Sequence, residues 1–398
     1  MPSTSCLILL NGDNVMVNLL PIMALRPERI IQLVTKDQRA ARAVAQFKEV
    51  FTMLAKEPGY EGYKPRIQDQ TLPGHDLAEV RDTVARLLLE NAGAVVNFSG
   101  GSKLASVGAY QAAMALGRPS LFCDVEEGRF VSGRTAPMSQ PPDYNTLISQ
   151  FSIRLLMAVH GRSFDDWKSQ PPSEALRQFG LRAYELRNQQ WAPLEAFNKA
   201  LRHAIYGSSD HLPDSAEELS ALLAKPLPSS VVGSEPARQY LSAASQAGLV
   251  KTSGPELFKL ACSANRREVE KCLRLLTTDW LELAVADRIL RHPGYREVLW
   301  HPESSNGDER GTGIFGIEKS GMILRYIQCL GSLTRSPQDH LEAVVQRARR
   351  LGGSGVESTL VVLKTAQGQD STLKHAAKRL GVDLVLGAGE IVQRFTPA

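Results

Sequence analysis

The chain has 398 residues, which is enough for two or three domains that each bury a core. Its hydrophobic content of 43%, charged content of 22% and net charge of +4 are typical of a globular protein and permit a nucleotide or nucleic-acid partner without requiring one. Five widely spaced cysteines argue against a disulfide framework or a zinc ribbon, and neither a signal-peptide pattern nor a membrane-spanning apolar run is present. We therefore expect a cytoplasmic protein with no membrane partner.

The first part of the chain alternates strands and helices. Apolar periodicity predicts strands at 6–10, 29–35, 64–71, 94–96 and 119–125, and helices at 15–25, 37–54, 76–90 and 103–117. This alternation indicates an open, mainly parallel sheet with helices on both faces. Such sheets bind ligands at the carboxyl ends of the strands, where the strand order reverses. The polar segments 11–14, 35–36 and 97–103 are expected at that edge.

Residues 94–103 carry the most informative pattern, a short strand followed by Ser-Gly-Gly-Ser and then a helix that begins at Lys103. Adjacent glycines let the backbone approach a ligand closely, and the N–H groups of a first helical turn point towards an anion. The spacing matches neither a P-loop nor a dinucleotide fingerprint, and a plain glycine turn with a surface lysine is the alternative. The predicted ligand-binding residues are Asn11, Asp13, Asn14, Thr35, Asn97, Ser99, Gly100, Gly101, Ser102 and Lys103.

A middle region of different composition follows, with proline-rich and serine-rich linkers between short helices. Helices are predicted at 147–161, 172–180, 184–206, 216–223, 237–247 and 254–277, the last two separated by Gly248-Leu249-Val250. The pattern is compatible with a small winged-helix unit, although a helical spacer between two domains is the favoured interpretation.

From residue 279 onwards the pattern is α/β again. Helices are predicted at 280–291, 337–351 and 370–380, and strands at 297–301, 313–317, 322–329, 358–364 and 383–386. The first of these helices carries Glu282.

The chain resembles the CRISPR ancillary nucleases in a combination of features. These are the Asn-x-Ser-Gly-Gly-Ser-Lys motif at 97–103, the polar loop with Asp13-Asn14, the helical middle and the C-terminal α/β part. In that family an N-terminal CARF domain, a Rossmann-like fold, is joined to a restriction-endonuclease-like PD-(D/E)xK domain. The resemblance implies three parts: a CARF domain at 1–140, a helical or winged-helix-like region at 141–276 and a nuclease-like domain at 277–398. It also implies a homodimer that binds a cyclic oligoadenylate, most often the tetra-adenylate ring.

The nuclease motif of the family is degenerate in this chain. The family's upstream helix acid is matched by Glu282, but Gln328 and Leu330 stand where the Glu and Lys of its Glu-x-Lys motif are expected, and Phe315 stands thirteen residues before Gln328, at the Asp position. Neither glutamine nor phenylalanine supplies the anionic oxygen that Mg²⁺ prefers. We expect a pseudo-nuclease with no catalytic residues intact, no bound metal and no cofactor, and Mg²⁺ or Mn²⁺ only if the domain is active.

Three hypotheses remain. The first is a cyclic oligoadenylate sensor of type III CRISPR defence, whose nuclease-like domain grips nucleic acid through Arg347, Arg349 and Arg350 or pairs with an active nuclease. The second is an enzyme: a ligand-activated DNA or RNA endonuclease with a site relocated to Glu318, Asp308, Glu309 or Lys364, or a metal-independent ring nuclease. The third is a DNA-binding regulator that uses the basic residues of the middle region, namely Arg266, Arg267, Lys271 and Arg274.

Overall fold

A computed structural model divides the chain into two compact units. The first consists of Met1–Asp166 with Lys319–Leu324 and Leu351–Gly355, and the second of Trp167–Glu318, Arg325–Arg350 and Val356–Ala398. The structure describes residues 5–12, 14–35, 38–72, 76–125, 127–133, 143–161, 167–207, 211–252, 254, 257–304, 313–319, 323–333, 336–352, 356–366 and 368–396. Among these residues, no helix is both long and apolar enough to cross a membrane.

The first unit alternates strands and helices as the sequence predicts. Its elements are β1 (Cys6–Leu10), α1 (Met16–Leu25), β2 (Arg29–Val34), α2 (Gln38–Leu54), β3 (Arg66–Thr71), α3 (Leu77–Glu90), β4 (Val95–Asn97), α4 (Lys103–Ala115), β5 (Ser120–Asp124), β6 (Arg129–Ser132), α5 (Tyr144–Ile148) and α6 (Ile153–Val159). The strand order is β3-β2-β1-β4-β5-β6, with β1 to β5 parallel and β6 antiparallel to β5. The predicted mixed α/β fold class, with a Rossmann-like sheet at the N-terminus, is confirmed.

Burial explains why these segments form the sheet and its covering helices. Every residue of β1 is buried, as expected for a central strand with helices on both faces. Helix α1 is buried all round, whereas α3 buries one stripe at Val80, Val84, Leu87 and Leu88. The Asp76 side chain accepts hydrogen bonds from two backbone N–H groups of the first turn of α3 and so fixes where that helix begins.

The second unit contains a second sheet and most of the helices. Its elements are β7 (Trp167–Gln170), α7 (Glu174–Gln189), α8 (Trp191–Tyr206), α9 (Ala216–Ala224), α10 (Ser229–Val232), α11 (Glu235–Gln246), β8 (Val250–Thr252), β9 (Phe258–Leu260), α12 (Arg266–Thr277), α13 (Trp280–Arg291), β10 (Tyr295–Ser304), β11 (Ile314–Glu318), β12 (Ile323–Ser332), α14 (Pro337–Gly352), β13 (Glu357–Lys364), α15 (Asp370–Leu380), β14 (Val382–Leu386) and α16 (Gly387–Phe395). The sheet order is β14-β13-β12-β11-β10-β7, and β8 and β9 form a separate antiparallel hairpin.

Several elements of the second unit differ from the prediction. Helix α7 continues through Gly180, where one predicted helix ends, and the next predicted helix at 184–206 is divided at Gln190 between α7 and α8. Gly180 lies where the backbone of α7 approaches α13, since a Cβ there would be 2.4 Å from the Cβ of Leu283. Strand β9 replaces the start of the helix predicted at 254–277, and β7 and α16 were not predicted. The expected boundary at 276/277 falls within the last turn of α12, whose buried residues belong to the same hydrophobic core as those of α13.

Candidate functional site

The strand order of the first unit reverses between β1 and β4. Leu9 of β1 lies opposite Asn97 of β4, so the loops that follow the two strands start at the same edge of the sheet. These loops touch each other: a Cβ built on Gly12 would lie 2.8 Å from the backbone nitrogen of Gly101. The structure therefore brings together Gly12 and Gly101, which belong to two of the three segments predicted to converge.

Two glycines are required by this close approach. A Cβ on Gly100 would lie 2.2 Å from the carbonyl oxygen of Leu10, well inside contact distance. Gly101 has a φ of +75°, in the left-handed region that glycine adopts without strain. The Ser-Gly-Gly-Ser segment thus lies directly against the end of β1.

Asn97 is buried and holds this arrangement together. Its Nδ2 donates to the carbonyl oxygen of Val17 at 2.9 Å and to Oδ1 of Asn18 at 2.8 Å. Asn18 in turn donates from Nδ2 to the carbonyl oxygen of Leu10 at 2.8 Å. The Oδ1 of Asn97 accepts from the backbone N–H and the hydroxyl of Ser99, at 3.2 and 2.5 Å. The side chain of Asn97 therefore binds protein groups on both of its polar atoms.

The side chain of Ser99 is also hydrogen-bonded to protein groups. Besides donating to Asn97, its Oγ accepts from the backbone N–H of Cys123 on β5 at 2.6 Å. Ser106 donates to the carbonyl oxygen of Phe98 and ties the helix that follows to the same loop. The sequence predicts Asn97 and Ser99 as ligand-binding residues. In the structure the described hydrogen bonds of both side chains are with protein groups, and these bonds position the loop.

The exposed part of the loop is at the N-terminus of α4. Gly101, Ser102 and Lys103 are exposed, and the Ser102 hydroxyl accepts from the N–H of Ala105 at 3.2 Å as the helix cap. The N–H groups of Lys103 and Leu104 belong to the first turn, where no intrahelical acceptor exists. Within the described residues Lys103 forms no ion pair. We call these groups the cradle; their charge and N–H donors are of the kind that suits an anion.

Three of the four remaining predicted ligand residues are described in the structure. Asn14 is exposed and its Oδ1 accepts from the N–H of Met16 at 3.1 Å, close to the start of α1. Asn11 and Thr35 are half-buried at the ends of β1 and β2. Asp13 lies outside the described residues. Sequence reasoning overlooked Phe98, whose ring lies 5.0 Å from that of Tyr110 and 5.6 Å from that of Phe122.

A second cluster of polar groups lies in the second unit. Asp279, Glu282 and His301 each offer one metal-ligating atom, and these atoms lie within 4.8 Å of one another. Asp279 precedes α13, Glu282 is in its first turn, and His301 comes from β10. The Nε2 of His301 lies 2.5 Å from Oε2 of Glu282 and 3.8 Å from Oδ2 of Asp279. Sequence reasoning identified Glu282 but neither of its neighbours.

The other positions of the expected nuclease motif do not join this cluster. Phe315 is fully buried with its ring 5.1 Å from that of Tyr326. Cys329 lies in the same core as α13, and burial together with the charge of Glu282 raises the pKa of its thiol. Because successive side chains of a strand point to opposite faces, Gln328 and Leu330 face away from α13. The structure therefore brings Glu282 together with Asp279 and His301, and not with these three residues.

Of the four residues of the alternative nuclease site, two contact other side chains and two lie outside the described part of the chain. Glu318 accepts from Arg325 at 2.7 Å and lies 3.4 Å from Arg394. Lys364 has its Nζ 5.2 Å from the ring centroid of Trp191. Asp308 and Glu309 are not among the described residues.

Comparisons with known proteins are informative only at the level of three-dimensional structure. Neither protein-family models nor curated proteins give a match. Among solved structures, Can2 from Sulfobacillus thermosulfidooxidans in complex with cyclic tetra-adenylate superposes with a TM-score of 0.65 at 14% identity, over 98% of this chain and 97% of that one. Protein VC1899 from Vibrio cholerae superposes with a TM-score of 0.66 at 15% identity and the same coverage. The chain therefore has the fold of these two proteins over nearly its whole length.

Proposed function

We propose that the chain binds a cyclic oligoadenylate, with the cyclic tetra-adenylate ring as the first ligand to test, and acts as a sensor in type III CRISPR antiviral defence. The observation that carries this proposal is the cradle at the N-terminus of α4, placed where the strand order reverses. The likeness to Can2, solved with cyclic tetra-adenylate bound, supports it.

The chemistry of the cradle suits a ring of phosphodiesters. Each phosphate carries one negative charge, which backbone N–H groups at a helix N-terminus stabilise through hydrogen bonds and the helix dipole. Lys103 adds a full positive charge, and the exposed hydroxyl of Ser102 adds a hydrogen-bond donor. Because Asn97 and Ser99 already bind protein groups, we assign them to holding the loop rather than to contacting the ligand.

A two-fold symmetric ring is best met by two copies of one cradle. Helix α4, which begins in the cradle, exposes the apolar side chains of Val107 and Tyr110, with 47% and 37% of their surface accessible. Exposed apolar groups beside a ligand site are suited to contact with a second copy of the chain. We therefore infer that a homodimer binds one ring.

For the second unit we propose that nucleic acid is not cut through the family motif. Strands β11 and β12 contain a single carboxylate, Glu318, which is bound to Arg325 and Arg394. A metal-dependent nuclease with a rearranged site is the second candidate, and the cluster of Asp279, Glu282 and His301 is the observation in its favour.

DNA recognition by the middle region ranks lower. The basic residues of α12 are partly neutralised, since Arg266 pairs with Asp214 and Glu270, and Arg274 pairs with Asp279. A recognition helix needs such cations free for phosphates. The winged-helix interpretation, which is based on the short helices around Gly248-Leu249-Val250, stays a prediction; the structure has the β8–β9 hairpin directly after α11.

The proposal is tested by incubating the purified chain with labelled cyclic tetra-adenylate and with labelled single- and double-stranded DNA and RNA. The incubation is done with and without Mn²⁺. The expected result is tight binding of the ring, with ring and nucleic acids intact. Cutting of nucleic acid that requires both ring and metal would replace the sensor by the nuclease, and metal-independent loss of the ring would indicate a ring nuclease. Absence of ring binding would refute the proposed function.

A further inference from the structure

The cluster formed by Asp279, Glu282 and His301 carries an unbalanced charge. Both carboxylates are buried, with 8% and 4% of their surface accessible. Arg274 donates to Oδ2 of Asp279 from two nitrogens, at 3.0 and 2.9 Å, and Thr278 donates to Oδ1 of the same group at 2.9 Å. Among the described contacts of the two carboxylates, Arg274 is the one fixed positive charge.

The imidazole of His301 lies between the guanidinium of Arg274 and the carboxylate of Glu282. Its Nδ1 lies 3.3 Å from a guanidinium nitrogen of Arg274, which can only donate, so Nδ1 is the acceptor. The Nε2 of the ring lies 2.5 Å from Oε2 of Glu282. Glu282 also accepts from the N–H of Gly313 at 3.3 Å, and its described contacts include no arginine or lysine. A buried carboxylate without a cation is costly, and binding a cation would relieve that cost.

We propose that Asp279, Glu282 and His301 bind a divalent first-row transition metal such as Mn²⁺ or Zn²⁺. Carboxylate oxygens and an imidazole nitrogen form a mixed ligand set, which favours these ions over Mg²⁺. Three protein ligands leave coordination positions open to water, as in sites that do chemistry. The site differs from the family motif, because two of its three ligands, Asp279 and His301, lie outside that motif.

The framework around the ligands is largely in place. Asp279 and Glu282 are held by the start of α13, and the N–H of Gly313 fixes one oxygen of Glu282. A metal on Nε2 requires the imidazole hydrogen to be on Nδ1, where it does not suit a guanidinium donor. Arg274, with 34% of its side chain accessible, must then move away from His301. Arg274 is thus a competitor of the metal.

The test uses the full chain, freed of metal by EDTA and dialysis and titrated with MnCl₂ while free Mn²⁺ is followed by electron paramagnetic resonance. We expect one Mn²⁺ per chain, with an affinity at least tenfold lower in Glu282→Gln and in His301→Asn. Asparagine is chosen because His301 has a φ of +45°, which asparagine tolerates. The matched control is Asp287→Asn, a buried acid of the same helix that pairs with Arg177 and Arg291. It should bind Mn²⁺ like the wild type.

Two further readouts keep the proposal testable if a ligand variant fails to fold. Arg274→Gln removes the competing cation and offers an oxygen to Nδ1–H, so Mn²⁺ should bind at least threefold more tightly. The ring of Trp300 is stacked 4.1 Å from that of His301, so Co²⁺ should quench tryptophan fluorescence, and Trp300→Phe should reduce the quenching without weakening binding. The proposal would be overturned if the wild type bound no Mn²⁺ or if Glu282→Gln and His301→Asn bound it with unchanged affinity. It would also be overturned if Arg274→Gln bound Mn²⁺ more weakly than the wild type. None of these readouts depends on a cyclic oligoadenylate.

Discussion

At the scale of single residues, the cradle separates side chains that hold the loop from side chains that face solvent. The sequence placed Asn97, Ser99, Ser102 and Lys103 in one motif, and nothing in the residue types distinguishes their roles. The structure does, since Asn97 and Ser99 bind Val17, Asn18 and Cys123, whereas Lys103 is exposed. A spacing pattern identifies a loop, but the direction of each side chain depends on neighbours that are distant in sequence.

Lys103→Met tests the role of the exposed charge. A hydrogen bond to a charged group contributes about 1.5–3 kcal/mol, so the affinity for cyclic tetra-adenylate should fall roughly tenfold to a hundredfold. Equilibrium binding of the labelled ring measures this. The control is Lys64→Met, an exposed lysine that precedes β3 and so lies at the opposite edge of the sheet. Equal losses in both variants would show that Lys103 has no specific role.

The acid and histidine cluster could be predicted only in part. Asp279 and Glu282 are three positions apart at the start of a helix, a spacing that places side chains on one face. His301 belongs to β10, and its approach to Glu282 depends on how that strand packs beside α13. No local pattern in the sequence encodes this contact.

At the scale of elements, the first unit was predictable because each strand and helix has a strong local pattern. The second unit was less predictable, and each difference between its predicted and observed elements has a physical cause. Gly180 suggested a helix end at the middle of α7, but it is a packing contact with Leu283 of α13. Strands β8 and β9 have three residues each, which is too short for a periodic pattern.

Gly100→Ala tests the contact between the loops after β1 and β4. The added Cβ would lie 2.2 Å from the carbonyl oxygen of Leu10, so the loops must separate and the cradle must change shape. We expect binding of cyclic tetra-adenylate to be lost, while circular dichroism shows that the protein is folded. Gly117→Ala is the control, because a Cβ there meets nothing within 4 Å and its φ of +60° adds only local strain. Full binding by Gly100→Ala would contradict this geometry.

Helix α6 gives the first unit a dependence on pH. Its C-terminal carbonyl groups accept from Gln46 of α2, and burial lowers the pKa of His160, which follows the helix. The folded unit therefore disfavours the protonated ring, whereas the unfolded chain takes up a proton below about pH 6.5. The free energy of unfolding should fall as the pH drops below that value, by at most about 1.4 kcal/mol per pH unit. Urea unfolding between pH 7.5 and 5 should show that the free energy of unfolding depends less on pH in His160→Gln than in the wild type. An identical pH dependence in the two proteins would exclude this histidine as the cause.

At the scale of the whole molecule, two units with different chemistry are joined in one chain. The first presents the cradle, built from backbone N–H groups and one lysine, that we propose binds an anion. The second has a sheet whose strands β11 and β12 lack the expected acids, and a cluster of two carboxylates and an imidazole beside it. The fold is shared with Can2 and VC1899 over almost the full length, although identity is only 14% and 15%. At such identity the fold is retained while individual site residues are free to change.

Native mass spectrometry of the full chain with cyclic tetra-adenylate tests the central claim most directly. We expect a complex of two chains and one ring, and Lys103→Met should form much less of it at the same concentrations. Linear tetra-adenylate serves as the control ligand and should bind less. A complex of one ring with each single chain would contradict the shared two-fold site, and free protein at saturating ring concentration would contradict the binding function itself.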